Sequence, residues 1–289
     1  MARGARGEQG SARLAGALLG PATVLVLLVL VAPLALLFRY SLDKFDPSQL
    51  IIPAVTAENY ISFVGSRFYL DILLRTIEVA AASTALCVVF GAPVAYRLAR
   101  TTSRYKSAMV LALMLPLFMG ATARTVGWMI LLSHGGVVNL TLRTLAGHSR
   151  FDLMYTPTAV IIGILSFNLP YMVLMLQAVF ERIDISLEEA ASGLGATPLR
   201  AFARVVGPLA LPGLSIATIL CFILAMNAYA TPVLLGGPRF HMMAPQVYVE
   251  FASNNNWPLA ASVAFVLMAT TIALAVLANR LIPDRYRAP

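Results

Sequence analysis

Six apolar runs dominate this sequence, at residues 14–38, 72–96, 107–132, 157–180, 209–230 and 258–279. Each is long enough to cross a hydrocarbon layer of roughly 30 Å, which takes about 20 residues of helix. A bilayer offers no water to stray amides, so such runs fold as helices whose backbone bonds are internal. The chain is therefore expected to be an all-α transmembrane protein with six membrane-spanning helices. The first run exceeds the apolar stretch of a cleaved signal peptide, about 7–15 residues, and is expected to remain as an anchor. The predicted division is a tail at 1–13, the anchor at 14–38, an external segment at 39–71, a five-helix core at 72–282 containing a polar loop at 181–208, and a tail at 283–289.

Charge supports this class and orients it. Only 12% of residues are charged, against about 25% in soluble domains. With the N-terminus inside, the inner segments hold 13 of the 21 Lys and Arg residues and the outer segments 6, leaving Arg75 and Arg124 within the membrane. Cytoplasmic segments carry the excess of Lys and Arg, so both termini are predicted to be cytoplasmic. The net charge of +8 thus reflects topology, and the singly spaced arginines form no patch for nucleic acid.

Catalytic constellations are missing from the sequence. The lysines are Lys44 and Lys106, and neither sits in the glycine-rich loop that cradles nucleotide phosphates. His134, His148 and His241 lack the helical i, i+4 spacing of a zinc hydrolase, and no G-x-S-x-G elbow is present. Cys87 and Cys221 lie inside apolar runs, without the ligands for a zinc site. No enzyme activity, metal or cofactor of its own is expected.

The loop between the fourth and fifth runs, ERIDISLEEAASGLGATPLRAFARVVGP, reads as helix, glycine turn, helix. Ser186 with Glu189 three residues on, beside Glu188, forms a capping box that starts the first helix. Gly193 and Gly195 supply left-handed conformations to end it. Thr197-Pro198 restarts a helix whose apolar face carries Leu199, Phe202, Val205 and Val206, until Gly207-Pro208 turns the chain back into the membrane. Loops this long are usually functional.

Glu189-Ala190-Ala191, then Gly195, Val205 and Pro208, match the spacing E-A-A-x3-G-x9-I-x-L-P, with Val205 for Ile and Gly207 for Leu. This resembles the signature loop of binding-protein-dependent ATP-binding-cassette (ABC) importer permeases, which have the type I, MetI-like fold. Trp128 to Leu132 with Gly136 to Asn139, Thr231 to Pro238 and Asn256 to Leu259 extend the likeness to the polyamine (spermidine and putrescine) branch, specifically the first of its two related permease subunits. That branch also contains importers of iron(III), thiamine, opines and phosphonates. The resemblance implies a multi-pass subunit of a bacterial inner membrane, working by alternating access with a second related permease, two copies of an ABC ATPase that bind the ATP, and a periplasmic or extracellular substrate-binding protein. It further implies that the helix from Ser186 inserts into a cleft on the ATPase.

Charged and polar groups within spans default to functional hypotheses. Glu78 and Arg124 lie at similar depths and are candidates for an ion pair; the alternatives are Glu78 with Arg75 and Arg124 lying over Trp128. An unneutralised Arg124 in the path would repel a cationic amine. Asn168 and Pro170 interrupt the fourth run, and Asn227 and Tyr229 end the fifth, as path or gate candidates beside locally satisfied kinks. Glu250, the single acid of the outer segment from Thr231 to Trp257, is the candidate nearest to an amine, with an exposed structural acid as the alternative. A stand-alone carrier or channel, an intramembrane enzyme and a purely structural subunit are the rival classes.

Overall fold

The computed structural model describes residues 4–146 and 153–280; His148, Arg150, Asp152 and the tail at 283–289 lie outside it. The chain is built from helices α1 (Gly4–Ser41), α2 (Glu58–Gly65), α3 (Arg67–Arg100), α4 (Lys106–Phe118), α5 (Ala121–Leu132), α6 (Val137–Ala146), α7 (Pro157–Glu181), α8 (Ile185–Gly193), α9 (Pro198–Ala201), α10 (Gly207–Met226), α11 (Ala230–Leu235), α12 (Met243–Tyr248) and α13 (Trp257–Arg280). Five of the predicted spans are single apolar helices of sufficient length, over Thr23–Ser41, Arg67–Arg100, Pro157–Glu181, Pro198–Met226 and Trp257–Arg280.

The predicted third span is not one straight helix. It breaks between α4 and α5 with a bend of 99°, where Met119 and Gly120 take extended conformations. Pro116, near the end of α4, cannot donate to the carbonyl four residues back, and Gly120 places no side chain at the corner. Hydropathy continues unbroken through both residues, so the apolar run hides the corner.

Spans α3, α7 and α10 pack side by side, and two buried clusters hold them at opposite ends. At one end Cys87, Ala95 and Leu98 meet Met172, Leu176 and Phe180 with Val206, Ala210 and Ala217; this is the loop end, because α8 and α9 follow directly from it. At the far end Ile72, Val79 and Phe63 meet Val160, Met226, Leu235, Met242 and Val263. α11 lies so close to α7 that a Cβ at Gly163 would stand 2.5 Å from Thr231 Cγ2; glycine permits that approach.

The anchor α1 packs on α13, with Phe38 edge-on to Phe265 at 5.4 Å. Its leucines and valines from Val24 to Val31 are otherwise exposed, as an apolar helix facing lipid would be. The segment after it is tied down, with Ser41 Oγ 2.8 Å from Tyr60 Oη and Asn59 donating to the carbonyls of Ser41 and Asp43.

Candidate functional site: a coupling elbow and a membrane-depth cavity

The predicted helix, glycine turn, helix unit is present, with different joints. α8 is capped by Asp184, whose carboxylate accepts from the Ser186 amide at 2.9 Å, so no Ser186–Glu189 capping box forms and the helix begins one residue earlier. That hydrogen bond, with its charge assistance, holds the Asp184 carboxyl below its ordinary value. The helix ends at Gly195 alone. Its φ of +82° allows Gly195 N–H to reach Ser192 O at 2.9 Å and Ala196 N–H to reach Ala191 O at 3.0 Å, the paired bonds of a Schellman turn. Gly193 remains within the helix.

Pro198 restarts the helix behind Thr197 as expected, but Gly207-Pro208 does not turn the chain. α9 passes through a π-helical turn at Phe202–Val206 straight into α10. Pro208 has no amide to offer, and the Gly207 amide bonds instead to Phe202 O. The elbow is therefore the first part of a 29-residue helical run from Pro198 to Met226, and any push on it passes into a spanning helix.

The apolar face predicted for the second helix divides in two. Val206 is fully buried, Val205 and Phe202 are half-buried, and Phe202 stands edge-on to Tyr96 at 4.9 Å. Leu199 turns outward, 79% exposed, as does Leu194 at 90%. Glu189 and Ala190 are exposed and Ala191 and Pro208 half-buried, which leaves α8 with a low, uncovered surface. Glu188 binds inward: Arg100 Nε donates to it at 2.8 Å, and Tyr96 Oη and a second Arg100 nitrogen also bond to its carboxylate. Lys106 and Glu181 form an ion pair at 2.8 Å that joins the start of α4 to the end of α7. The elbow is thus braced against α3 while its tip stays bare.

The membrane-depth candidates fall into two groups. Asn168, Asn227 and Tyr229 line one cavity of about 390 Å³, together with Thr122, Phe167 and Thr231. Asn168 is fully buried and donates to Cys221 O at 3.0 Å, while its Oδ1 has no partner; it ties α7 to α10 on the edge of the cavity. Pro170 is buried within α7 and lies outside the lining. Asn227 also borders a second cavity of about 500 Å³ against α13.

The charged candidates behave otherwise than predicted. Glu78 is exposed, and among the described residues no ion pair joins it to Arg124 or Arg75. The Arg75 guanidinium lies over Phe240 at 5.4 Å. Arg124 stacks on Phe167 at 5.0 Å instead of Trp128, with its Nε, Nη1 and Nη2 buried and without hydrogen-bond partners. Glu250 is no exposed acid: it is 4% exposed and accepts from Tyr69 Oη at 2.6 Å and from the Gln246 and Asn254 amides, both at 2.8 Å. It sits in a second π-helical turn, Val249–Ser253, whose irregular winding hides its direction from a composition-based reading.

One residue of the other matched segments has a structural place. Asn139 is buried and donates to the carbonyls of Leu132 and Ser133 at 2.8 and 2.9 Å, closing the end of α5. Residues the sequence reading passed over include Tyr96 and Arg100, which brace the elbow, and Phe167, which carries Arg124. Their signal was present only as two aromatic residues within apolar runs and one basic residue just beyond a run.

Comparison with known proteins agrees with this architecture. Residues 87–287 match the family described as binding-protein-dependent transport system inner membrane component. The chain is 30% identical over 265 residues to the spermidine/putrescine transport system permease protein PotB of Escherichia coli K12, covering 91% of this chain and 93% of that one. It is 32% identical over 264 residues to the inner membrane ABC transporter permease protein YdcU of the same organism, covering 86% and 83%. Among solved structures, a chain of the bacterial alginate ABC transporter in complex with an alginate-pentasaccharide-bound periplasmic protein superposes with a TM-score of 0.80 at 16% identity, covering 97% of this chain and 98% of that one. A chain of the inward-facing MetNI methionine ABC transporter gives 0.56 at 20% identity, covering 75% and 97%. The chain belongs to the binding-protein-dependent transport system inner membrane component family, as a multi-pass permease subunit of an ABC importer in a bacterial inner membrane.

Proposed function

We propose that this permease forms half of the translocation path for a polyamine of the spermidine and putrescine class, moved by alternating access. The polyamine reading draws on the 30% identity that extends over 91% of the chain. A second related permease completes the path, a periplasmic or extracellular binding protein delivers the solute, and two ABC ATPase subunits bind and hydrolyse ATP while this chain catalyses no reaction. The excess of Lys and Arg on the loop side supports a cytoplasmic elbow and cytoplasmic termini.

The observation that carries the coupling role is the elbow itself. Two leucines with 90% and 79% exposure flank a glycine turn at the end of a helix braced to α3 through Glu188. Apolar side chains held this far out are expected to meet a protein partner, and a rigid element that joins a spanning helix can transmit the partner's closure as a bistable rocking motion. Purification of the complex with its co-purifying chains tests the assembly, and titration of the binding protein with spermidine, putrescine, thiamine and ferric ion tests the solute. Spermidine binding supports the polyamine reading, and binding of another solute with no response to either polyamine overturns it. Arg124 favours a second reading within the same mechanism, in which the solute is an acid such as an opine or phosphonate.

A further inference from the structure

The corner between α4 and α5 places an uncompensated positive centre at membrane depth. Arg124 lies in the first turn of α5, where the helix dipole is positive and a cation is disfavoured. Its three guanidinium nitrogens are buried without hydrogen-bond partners, and a charged donor set left unpaired in hydrocarbon is costly enough to require an acceptor. The α5 end adds to the demand: Gly120 provides no side-chain cap for the first amides, and Ala121 and Thr122 line the cavity of about 390 Å³. Phe167, on which Arg124 rests at 5.0 Å, is in the same lining. The guanidinium is not itself part of the lining; it stacks on Phe167, which is, and follows the open helix end by one turn.

Among the described residues no acid fills the role. Glu78 is exposed and bonded to neither arginine, and Glu250 is already enclosed by Tyr69, Gln246 and Asn254. We propose that Arg124 and the open end of α5 form half of an oxyanion site bordering this cavity, completed by a carboxylate or similar acid from outside this chain. Two sources fit that chemistry: an acidic group on the transported solute, or a side-chain carboxylate of the second permease. The fully buried Asn168, on the same cavity, has a carbonyl oxygen without a donor. An acid that also carries an N–H group satisfies both needs at once. A polyamine satisfies only Asn168, and then the second permease must neutralise Arg124. The inference rests on this chain's geometry and stands whether or not the polyamine reading does.

The test uses the complete importer with its binding protein in proteoliposomes. Labelled spermidine and octopine, an amine bearing carboxylates, serve as probes, and the melting temperature of the solubilised complex reports assembly. Spermidine uptake by the unaltered complex examines the polyamine reading by itself, and the Arg124 variants examine the site. Arg124→Gln is expected to lower uptake of the transported probe by about tenfold or more, as for loss of one partner of a buried charge pair. Arg124→Lys, which keeps the charge, is expected to retain most of it. If the solute supplies the acid, the loss appears as a raised KM for octopine with an unchanged melting temperature. If the second permease supplies it, spermidine uptake falls together with the melting temperature of the complex. Uptake and melting that are unchanged in Arg124→Gln would overturn the proposal. So would equal losses in the Lys and Gln variants, which would reduce Arg124 to packing over Phe167.

Discussion

The two ends of the bundle each carry a prominent acid, and the acids are treated in opposite ways. At the loop end Glu188 is half-buried, ion-paired to Arg100, and belongs to an element whose leucines face outward. At the far end Glu250 is enclosed by three neutral donors, and α11, α12 and the second π-helical turn cover the buried cluster around Met226, Leu235 and Met242. The far end satisfies this acid from within the chain. The loop end braces its own frame and leaves apolar surface uncovered, which is the pattern of an element completed by a partner.

The largest effects should come from the bare tip. Gly195→Asp forces a side chain into a left-handed conformation that costs an L-residue about 1–2 kcal/mol and adds bulk and charge beside Leu194. Uptake should fall to near background while the chain remains in the membrane and ATP hydrolysis persists uncoupled; Glu189→Lys should act in the same direction. Normal transport by stably expressed Gly195→Asp would remove the contrast between the ends. Leu194→Asp with Leu199→Asp should weaken ATPase co-purification by about tenfold or more, since each leucine buried on docking contributes roughly 1.5–3 kcal/mol. Neither residue supports the fold, so the melting temperature of the isolated permease should not move.

Glu188→Gln sharpens the comparison at the brace. Loss of the charge-assisted bonds to Arg100 costs about 1.5–3 kcal/mol, and uptake should fall several-fold with ATPase binding retained, read as the ratio of solute moved to ATP hydrolysed. Glu250→Gln at the far end should instead lower permease stability by about 1–3 kcal/mol, because a donor from Tyr69, Gln246 or Asn254 loses its acceptor. ATPase binding should be unchanged; a loss of binding there would mean that the ends are not distinct.

The smallest effect concerns Asp184. Its carboxyl is held below 3.8 by the Ser186 bonds, so the ionised cap contributes above that value and its contribution is lost as pH falls through the lowered pKa. Between about pH 6 and 8 the cap should not change. Asp184→Asn should preserve α8 and Asp184→Ala should fray its first turn, seen as faster amide exchange from Ile185 to Leu187.

What the sequence disclosed divides along physical lines. Hydropathy located the spans because lipid imposes length and polarity on each, and Thr197-Pro198 and Gly195 marked a restart and a turn because few residue types satisfy those conformations. The corner at Met119-Gly120 stayed hidden because apolar residues continue across it. Asp184 was passed over as cap because Ser186 and Glu189 offered an equally regular pattern two residues later. Glu250 sits inside the π-helical turn Val249–Ser253, and no periodicity rule anticipates such an extra residue. The partners of Glu78 and Arg124 depended on side-chain direction in three dimensions, which equal depth along two helices does not fix.

The most direct measurement of the central claim is disulfide cross-linking from Leu194→Cys in the assembled importer, with a membrane-impermeant thiol reagent applied to inside-out and right-side-out vesicles. Cys87 and Cys221 are buried and leave a low background. The account predicts labelling of the Leu194→Cys chain from the cytoplasmic face, protection when the ATPase is bound, and cross-links to a cysteine placed in the ATPase cleft. Labelling from the outer face, or full reactivity in the assembled complex with no cross-link, would contradict it.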